Sequence, residues 1–491
     1  MRRSNLVASA KAVCVARASL GLLMLVAGAA SAERLHKYTV AIDANLSTLN
    51  VRACFDGTAP AALSAESLDA TLALTEFRVE SSRKSLEPSG VIRLKGVPED
   101  GCVLYRVDVS RPIRQHDRTG DKIYRVGKDL LTSVGIWLWR PEKLDANEDI
   151  EITFVLPEGI AVSAPWMPVP HGDRAVFRTG RSPYDWPASV AFGRFEEREI
   201  EVEGARLRLA VLDGTPAADA EQMQAWIEDA ARMVAALYGH FPQSQAQILV
   251  VPGARGNEPT PWAYVVRGGS PAAHFFINQR RPIKEFLDDW TAVHELSHLL
   301  LPYVNSDDIW LSEGVATYYQ NVLRARGGRM TAPDAWHRLH AGFVRGMGSA
   351  QGLTLAQATE SMYRNDTYMR VYWEGAAMLL IADVRLRQIT AGKQSLDTAL
   401  AAVNECCATT DQAWSARQLV DKLDELTGTG IFGEIYDQHV ASKNFPDLTQ
   451  TYKALGISTG PGGIEFSADA REARLRDAVM GATAPTTSEE E

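Results

Sequence analysis

The feature that most constrains this chain is a pair of histidines spaced four residues apart, in the segment 294–298 (His-Glu-Leu-Ser-His). On an α-helix, side chains four residues apart lie one above the other on the same face. His294 and His298 can therefore hold one metal ion from one side. Glu295 follows the first histidine directly, so its carboxylate can reach a water on that ion without being a ligand. The H-E-x-x-H pattern indicates this division of roles.

A carboxylate downstream completes the expected metal site. Two imidazoles leave a tetrahedral zinc ion short of one protein ligand and one open position for water. The mostly apolar residues 290–301 predict a buried helix that ends at Pro302. A turn at 305–308 begins a second helix, from about residue 309 to 326, which returns antiparallel and carries Glu313 over the histidines. We therefore expect one Zn²⁺ per chain, held by this carboxylate and the two histidines. If these residues bound no metal, Glu313 would be an unpaired carboxylate in an apolar segment, which is costly.

These motifs resemble those of the gluzincin metallopeptidases, which include aminopeptidase N and the glycyl-aminopeptidase family. The histidine pair followed by Trp-Leu-Ser-Glu-Gly at 310–314 is similar to their zinc-binding pattern. The segment Tyr-Trp-Glu-Gly at 372–375 is similar to their Tyr-x-x-Gly element, and we expect a long apolar helix over 374–391. The resemblance is closest to glycyl aminopeptidase and covers roughly residues 140–460. It implies that the hydroxyl of Tyr372 stabilises the tetrahedral intermediate, with Tyr363 and Tyr368 as rival donors.

The resemblance implies a zinc metallopeptidase in which Glu295 acts as general base and then as general acid, and more narrowly an aminopeptidase. Two features depart from the family. The gap of 14 residues between His298 and Glu313 is shorter than in aminopeptidase N. The Gly-x-Met-Glu-Asn segment, whose glutamate binds the substrate's free amine, is replaced by residues 267–274, which contain no acidic residue. Three hypotheses stay open: an aminopeptidase, an endopeptidase or other hydrolase on the same centre, and a non-catalytic peptide-binding protein with structural zinc.

The first 32 residues have the pattern of a secretory signal. Four positive residues precede a short apolar stretch at 20–29, and Ala-Ser-Ala at 30–32 is a typical cleavage site. We expect export, to a bacterial periplasm or the medium, of a chain beginning at Glu33 with no membrane-spanning segment. Removing the four positive residues takes the formal net charge from −10 to −14. Such an acidic protein disfavours nucleic acid as a partner. The family resemblance implies peptides or proteins as substrates.

The sequence pattern predicts a multidomain α+β protein. Period-two alternation indicates an N-terminal β-sandwich at 33–204. A thermolysin-like mixed α/β catalytic domain is expected at 205–330, a helical domain at 331–480 and a disordered acidic tail at 481–491. The catalytic domain is expected to begin its first helix at Thr215-Pro216, by an N-cap followed by proline. By the resemblance, the strand at 273–277, just before the metal helix, would be a sheet edge that pairs with substrate. His274 on that strand is read as a structural residue, with substrate contact as the alternative.

Four cysteines remain after the signal. In an oxidising compartment, Cys54 and Cys102, both on strand-like segments, are expected to pair. The adjacent Cys406 and Cys407 leave three alternatives open, namely ordinary buried residues, a vicinal disulfide or a contact to another chain.

Overall fold

A computed structural model of the chain describes residues 33–67, 69–82, 90–111, 123–172, 175–408, 412–460 and 462–481. The expected signal peptide, and the expected acidic tail after residue 481, lie outside the described residues. No helix in the described ranges is long and apolar enough to cross a bilayer.

The N-terminal region consists of strands and two short helices. Its elements are β1 (Arg34–Ile42), β2 (Thr48–Cys54), β3 (Ala62–Ser64), α1 (Asp69–Ala73), β4 (Leu74–Val79), β5 (Val91–Arg93), β6 (Cys102–Asp108), β7 (Ile123–Val126), β8 (Asp129–Ser133), α2 (Val134–Trp137), β9 (Glu148–Val155), β10 (Ala161–Ser163), β11 (Met167–Pro168), β12 (Ala175–Arg178) and β13 (Ser189–Gly193). One sheet has the order β11-β12-β9-β1-β2-β6-β4, a second has the order β10-β13-β8-β7, and β3 pairs with β5 in a small third sheet. Buried side chains of the first two sheets form one core, as the period-two pattern predicts.

The four cysteines after the expected signal form two disulfides. Cys54 and Cys102 are directly opposite each other in the antiparallel β2–β6 ladder and form a disulfide, which confirms the expected pair. Cys406 and Cys407 also form a disulfide. The structure therefore selects the vicinal disulfide from the three alternatives.

A five-stranded mixed sheet with four helices follows. Its elements are β14 (Glu197–Val202), β15 (Ala205–Val211), α3 (Ala220–Ala235), β16 (Gln245–Pro252), β17 (Trp262–Val266), β18 (Ala272–Ile277), α4 (Ile283–Asp288), α5 (Thr291–Ser297) and α6 (Trp310–Arg326). The sheet order is β14-β15-β16-β18-β17. The expectation that β14 belongs to the N-terminal sandwich is wrong. Glu203 and Gly204, both at positive φ, form a two-residue turn that joins β14 to β15 as a hairpin.

Two further expectations for this region are wrong. Strand β18 is not an edge, because it lies between β16 and β17; the edge on this side of the sheet is β17. Strand β18 pairs in parallel with β16, and β17 then pairs antiparallel with the outer side of β18. The strand that comes earlier in the chain therefore lies at the edge. His274 on β18 is completely buried with its ring 4.9 Å from that of Tyr264, which agrees with its structural reading. Helix α3 does not begin at Thr215-Pro216, because the side chain of Asp219 accepts hydrogen bonds from the first-turn amides and caps the helix there.

The remainder is helical apart from one hairpin. Its elements are α7 (Ala332–Gly348), α8 (Leu355–Glu360), α9 (Met362–Asn365), α10 (Tyr368–Ile389), α11 (Leu396–Cys407), α12 (Ala416–Thr427), α13 (Ile431–His439), α14 (Thr449–Ala454), β19 (Ile457–Gly460), β20 (Gly463–Phe466) and α15 (Ala470–Met480). The long helix expected over 374–391 is α10 and starts earlier, after Asp366 ends α9 in the left-handed region. A single hydrophobic core joins these helices to the five-stranded sheet, so the regions 205–330 and 331–480 share one interior. The multidomain α+β class is confirmed.

Candidate active site

The metal helix is α-helical only as far as Ser297. His298–Leu300 continues it as a 3₁₀ turn, and Pro302 follows. His294 and His298 remain neighbours across this change, with ring centroids 5.0 Å apart. Every residue from Thr291 to Ser297 is buried, as the apolar pattern predicts. The two imidazoles are therefore held on a rigid, enclosed segment.

Helix α6 returns across the metal helix and brings Glu313 to the histidines. Its Oε2 atom lies 3.3 Å from Nε2 of His294 and 3.7 Å from Nε2 of His298. The three prospective ligand atoms all lie within 4.8 Å of one another. The structure thus brings together the three residues that the sequence identified as metal ligands.

The opposite nitrogen of each imidazole is fixed by a side chain from α6. Nδ1 of His294 donates to Oε1 of Gln320 at 2.8 Å, and Nδ1 of His298 is hydrogen-bonded to Oγ of Ser312 at 2.9 Å. With the proton on Nδ1, each Nε2 presents a lone pair to the centre. Sequence reasoning missed both partners. Gln320 lies seven residues, about two helical turns, after Glu313 on the same face, and this spacing is the signal that could have found it.

These donors fit a zinc ion. Two Nε2 lone pairs and a carboxylate oxygen converge, and Oε2 of Glu313 is buried without an aligned hydrogen-bond donor among the described residues. Converging acceptors repel one another unless a cation lies between them. Two histidines and one glutamate are a typical ligand set of a catalytic zinc site with one open position. Burial lowers the pKa of His298 to about 4, whereas the neighbouring Glu313 and Glu295 outweigh burial at His294 and raise its pKa, so a bound cation must displace a proton from His294.

Glu295 lies beside the ligand cluster with its carboxylate 4.0 Å from Nε2 of His298. Burial raises the pKa of Glu295 to about 7; the neighbouring His294 lowers it and the carboxylate of Glu313 raises it further. A carboxyl group with a pKa near neutrality can both accept and donate a proton at physiological pH. This property suits the acid–base role that the motif predicts for it.

Tyr372 on α10 is the tyrosine nearest the ligands. Its ring stacks on that of His294 with centroids 5.8 Å apart, and its hydroxyl lies close enough to the carboxylate of Glu313 to help lower the pKa of that group. Burial, followed by the charges of Glu313 and Glu295, raises the pKa of Tyr372 well above its usual value. The hydroxyl therefore stays protonated and can donate. Tyr368 stacks edge-on against Tyr372, and Tyr363 lies further out at 48% exposure.

Arg267 connects the edge strand to the metal helix, and sequence reasoning did not identify this contact. It follows β17 directly, and its buried guanidinium donates through Nη2 to the backbone oxygens of His298 at 2.9 Å and of Leu301 at 3.2 Å. These carbonyls lie at the end of the metal helix, where backbone acceptors lack helical partners and a cation is favourable. Arg267 therefore fixes the position of strand β17 relative to His298.

The ligands open into a cleft with a volume of about 680 Å³. All five residues of β17 line it, together with Tyr303 and Asp307 from the loop between α5 and α6. Ser133 and Ser189 from the N-terminal sheets and Met369 from α10 complete the walls. All three regions of the chain therefore contribute to the cleft, which has the size of a typical small-molecule or peptide site.

Comparison with known proteins identifies structural neighbours only. No family model matches the sequence, and no curated protein matches it. Among solved structures, an aminopeptidase N family protein from Idiomarina loihiensis aligns with a TM-score of 0.65 and 14% identity, over 86% of this chain and 78% of that one. An M1 zinc metallopeptidase from Deinococcus radiodurans aligns with a TM-score of 0.54 and 12% identity, over 85% and 95%. Yeast LTA4 hydrolase aligns with a TM-score of 0.53 and 14% identity, over 87% and 70%. At these identities the likeness establishes architecture, and it agrees with the gluzincin resemblance of the motifs. The chain has the fold of the M1 zinc metallopeptidases.

Proposed function

We propose that the protein is an exported, zinc-dependent metallopeptidase that hydrolyses peptide bonds, and more narrowly an aminopeptidase. The observation that carries this proposal is the arrangement of His294, His298 and Glu313 as one ligand set, with Glu295 and Tyr372 beside it in a cleft. A purely structural zinc site needs neither a buried base nor a hydroxyl donor. One structural neighbour, the Deinococcus peptidase, has been solved with a Tyr-Ser-Ala substrate.

The chain's own residues supply the acid–base and hydrogen-bonding chemistry. Zinc, when bound, is a Lewis acid that polarises the scissile carbonyl and lowers the pKa of a water. The carboxylate of Glu295 takes a proton from the attacking water and passes it to the leaving amine. The hydroxyl of Tyr372 donates a hydrogen bond to the carbonyl oxygen as negative charge develops on it. Glu295 lies on α5 and Tyr372 on α10, so two helices bring these groups to the same centre.

Strand β17 is the proposed partner of the substrate backbone. It is the outer strand of the sheet and lines the cleft, so an extended peptide can add to its edge by main-chain hydrogen bonds. Carboxylates of Glu258, Asp307 and Glu360 also line the cleft and can pair with a free α-amine. They support the aminopeptidase assignment, although the segment 267–274 contains no acidic residue.

Export rests on the signal pattern of the first 32 residues and on cysteine use. The disulfide between Cys54 and Cys102 suits an oxidising compartment. Edman or mass-spectrometric analysis of protein from a secreting host tests it, because export with processing predicts a mature chain that begins at Glu33.

The deciding experiment uses a mixture of peptides in paired free and N-acetylated forms, analysed by mass spectrometry, with the Glu295→Gln protein as the blank. Loss of single N-terminal residues from the free peptides alone is the expected result. Cleavage of both forms at internal bonds would make the protein an endopeptidase. If zinc is bound and neither form is cut, the peptidase proposal is wrong.

A further inference from the structure

Three large apolar side chains that line the cleft are exposed to solvent. Eleven large apolar side chains are exposed in the part of the chain that the structure describes, and Trp290, Tyr363 and Met369 all line this cleft. Their exposed fractions are 42%, 48% and 39%. Isolated exposed apolar residues are ordinary, but a group around a concave site indicates a surface that binds an apolar ligand.

Tyr363 and Trp290 belong to a series of neighbouring aromatic rings that passes through His294. Ring centroids are 5.8 Å apart for Tyr363 and Tyr368, and 6.2 Å apart for Tyr368 and Tyr372. Beyond them, Tyr372 stacks on His294, and Trp290 contacts His294 edge-on with ring centroids 5.1 Å apart. A large side chain next to a bond cleaved at the metal would therefore meet aromatic rings around the ligand His294.

The charge on the same walls is negative. The lining contains the carboxylates of Glu258, Asp307 and Glu360 in addition to Glu295 and Glu313. Among the described residues that line the cleft, Arg267 is the one lysine or arginine, and its guanidinium is buried against the end of the metal helix. Carboxylates therefore outnumber cationic charges even with a divalent ion in place, and an acidic ligand would be repelled.

We propose that the cleft selects peptides that carry a large apolar or aromatic residue beside the scissile bond and no acidic residue near it. Trp290, Tyr363 and Met369 are the specificity-determining residues, and Glu258 and Asp307 disfavour acidic peptides. This inference rests on the proposed peptidase function, because it concerns the substrate of the same site. The occupant is an extended peptide, since all of strand β17 lies along one wall.

The test separates binding from cleavage by using the zinc-loaded Glu295→Gln protein. Binding of pentapeptides X-Ala-Ala-Ala-Ala, in which X lies directly beside the bond that an aminopeptidase cuts, is measured by titration calorimetry with X as Phe, Leu, Ala, Lys or Glu. The Phe and Leu peptides are expected to bind about 10-fold more tightly than the Ala peptide, the usual effect of a large side chain in an apolar pocket. The Glu peptide is expected to bind most weakly, and its disadvantage should shrink as the salt concentration rises.

Two exposed methionines provide the matched variants. Met369→Ala should remove most of the preference for Phe over Ala. Met347→Ala, on the outside of α7 at 42% exposure and outside the cleft lining, should leave that preference unchanged. Replacing Glu258 by Gln together with Asp307 by Asn should bring the Glu peptide closer to the Ala peptide.

Equal binding of the Phe and Ala peptides, or equal effects of the two methionine variants, would overturn the selectivity. Cleavage by the wild-type protein distinguishes this failure from failure of the proposed function. If the Phe peptide binds selectively but the wild-type protein does not cut it, the selectivity stands and the peptidase assignment fails. If all peptides are cut and bound equally, the peptidase assignment stands and the selectivity fails.

Discussion

Gly314 on α6 and Gly375 on α10 meet backbone to backbone. A Cβ atom placed on Gly375 would lie 2.9 Å from Cα of Gly314 and 2.5 Å from the carbonyl oxygen of Trp310. The two glycines follow Glu313 by one residue and Tyr372 by three. Their contact sets the distance between the helix that supplies the third ligand and the helix that supplies the hydroxyl donor. The glycines of the Trp-Leu-Ser-Glu-Gly and Tyr-Trp-Glu-Gly segments are therefore explained by close helix packing.

Gly375→Ala should push these helices apart. We expect a loss of about 1–3 kcal/mol in the free energy of unfolding, the usual cost of overpacking, and a lower kcat because Tyr372 moves away from His294. Urea denaturation and steady-state kinetics measure the two effects. Gly348→Ala is the control, since a Cβ at this helical position meets no atom within 4 Å. Equal stability of the two variants would show that α6 and α10 tolerate separation.

Glu295→Gln should retain zinc and lose nearly all turnover. The amide keeps the shape of the side chain but cannot accept the proton of the attacking water. Zinc content by atomic absorption and kcat on a cleaved peptide provide the measurements. A variant that keeps zinc and more than a tenth of the wild-type rate would contradict the assignment of the base.

The ionisation of Glu295 should also appear in the pH profile. Burial raises the pKa of this carboxyl from 4.5 to about 7, and a bound divalent cation lowers it from there. Because the base works only when ionised, kcat/KM should rise with pH along an acid limb between about pH 5 and 7 and level off above it. Rates measured from pH 5 to 8 check this. A profile that falls over the same range would mean that the group must be protonated at the start of the reaction.

Tyr372→Phe should lower kcat by roughly 100-fold with little change in KM. A hydrogen bond formed mainly in the transition state contributes to kcat and not to ground-state binding. The matched control is Tyr368→Phe, whose ring touches Tyr372 but whose position is one helical turn further from His294. If Tyr368→Phe or Tyr363→Phe lost kcat instead, the hydroxyl role would belong to that residue.

The sequence predicts the ligands that lie on two consecutive helices. It does not predict contacts between residues that are far apart in the chain. Helical spacing alone identifies His294, His298 and Glu313, because the residues lie on two helices joined by a short turn. Gln320 and Arg267 were not identified, since their partners are determined by how α6 and β17 pack in three dimensions. Alternating apolar residues predict the β-sandwich, but the order of β17 and β18 depends on a strand reversal that the pattern does not contain. The end of the period-two pattern at residue 204 predicts a domain boundary there, whereas Glu203 and Gly204 form the turn between two paired strands of one sheet.

Gln320→Ala should weaken zinc binding by about 10–100-fold, the usual effect of removing a residue that orients a histidine ligand. Without the acceptor for its Nδ1 proton, His294 loses its fixed orientation and its preferred tautomer. Competition with a chromophoric chelator measures the affinity. Gln320→Glu is the control, because a carboxylate oxygen still accepts from Nδ1. If both variants bind zinc as the wild type does, packing alone orients the ring.

Arg267→Met should destabilise the C-terminal end of the metal helix, where Arg267 donates to backbone carbonyl oxygens. Methionine approximates the length of the arginine stem but cannot donate to the carbonyl oxygens of His298 and Leu301, which leaves both acceptors without this donor. We expect a loss of about 1–3 kcal/mol in the free energy of unfolding, and a higher KM because β17 is no longer fixed relative to the zinc ligands. Arg267→Lys keeps the charge near the helix end and should recover part of the stability but less of KM, since an ammonium group cannot reproduce the geometry of the guanidinium. Stability and KM measured on both variants separate the two contributions. Loss of stability with an unchanged KM would limit Arg267 to a capping role and remove its role in aligning the edge strand with the metal.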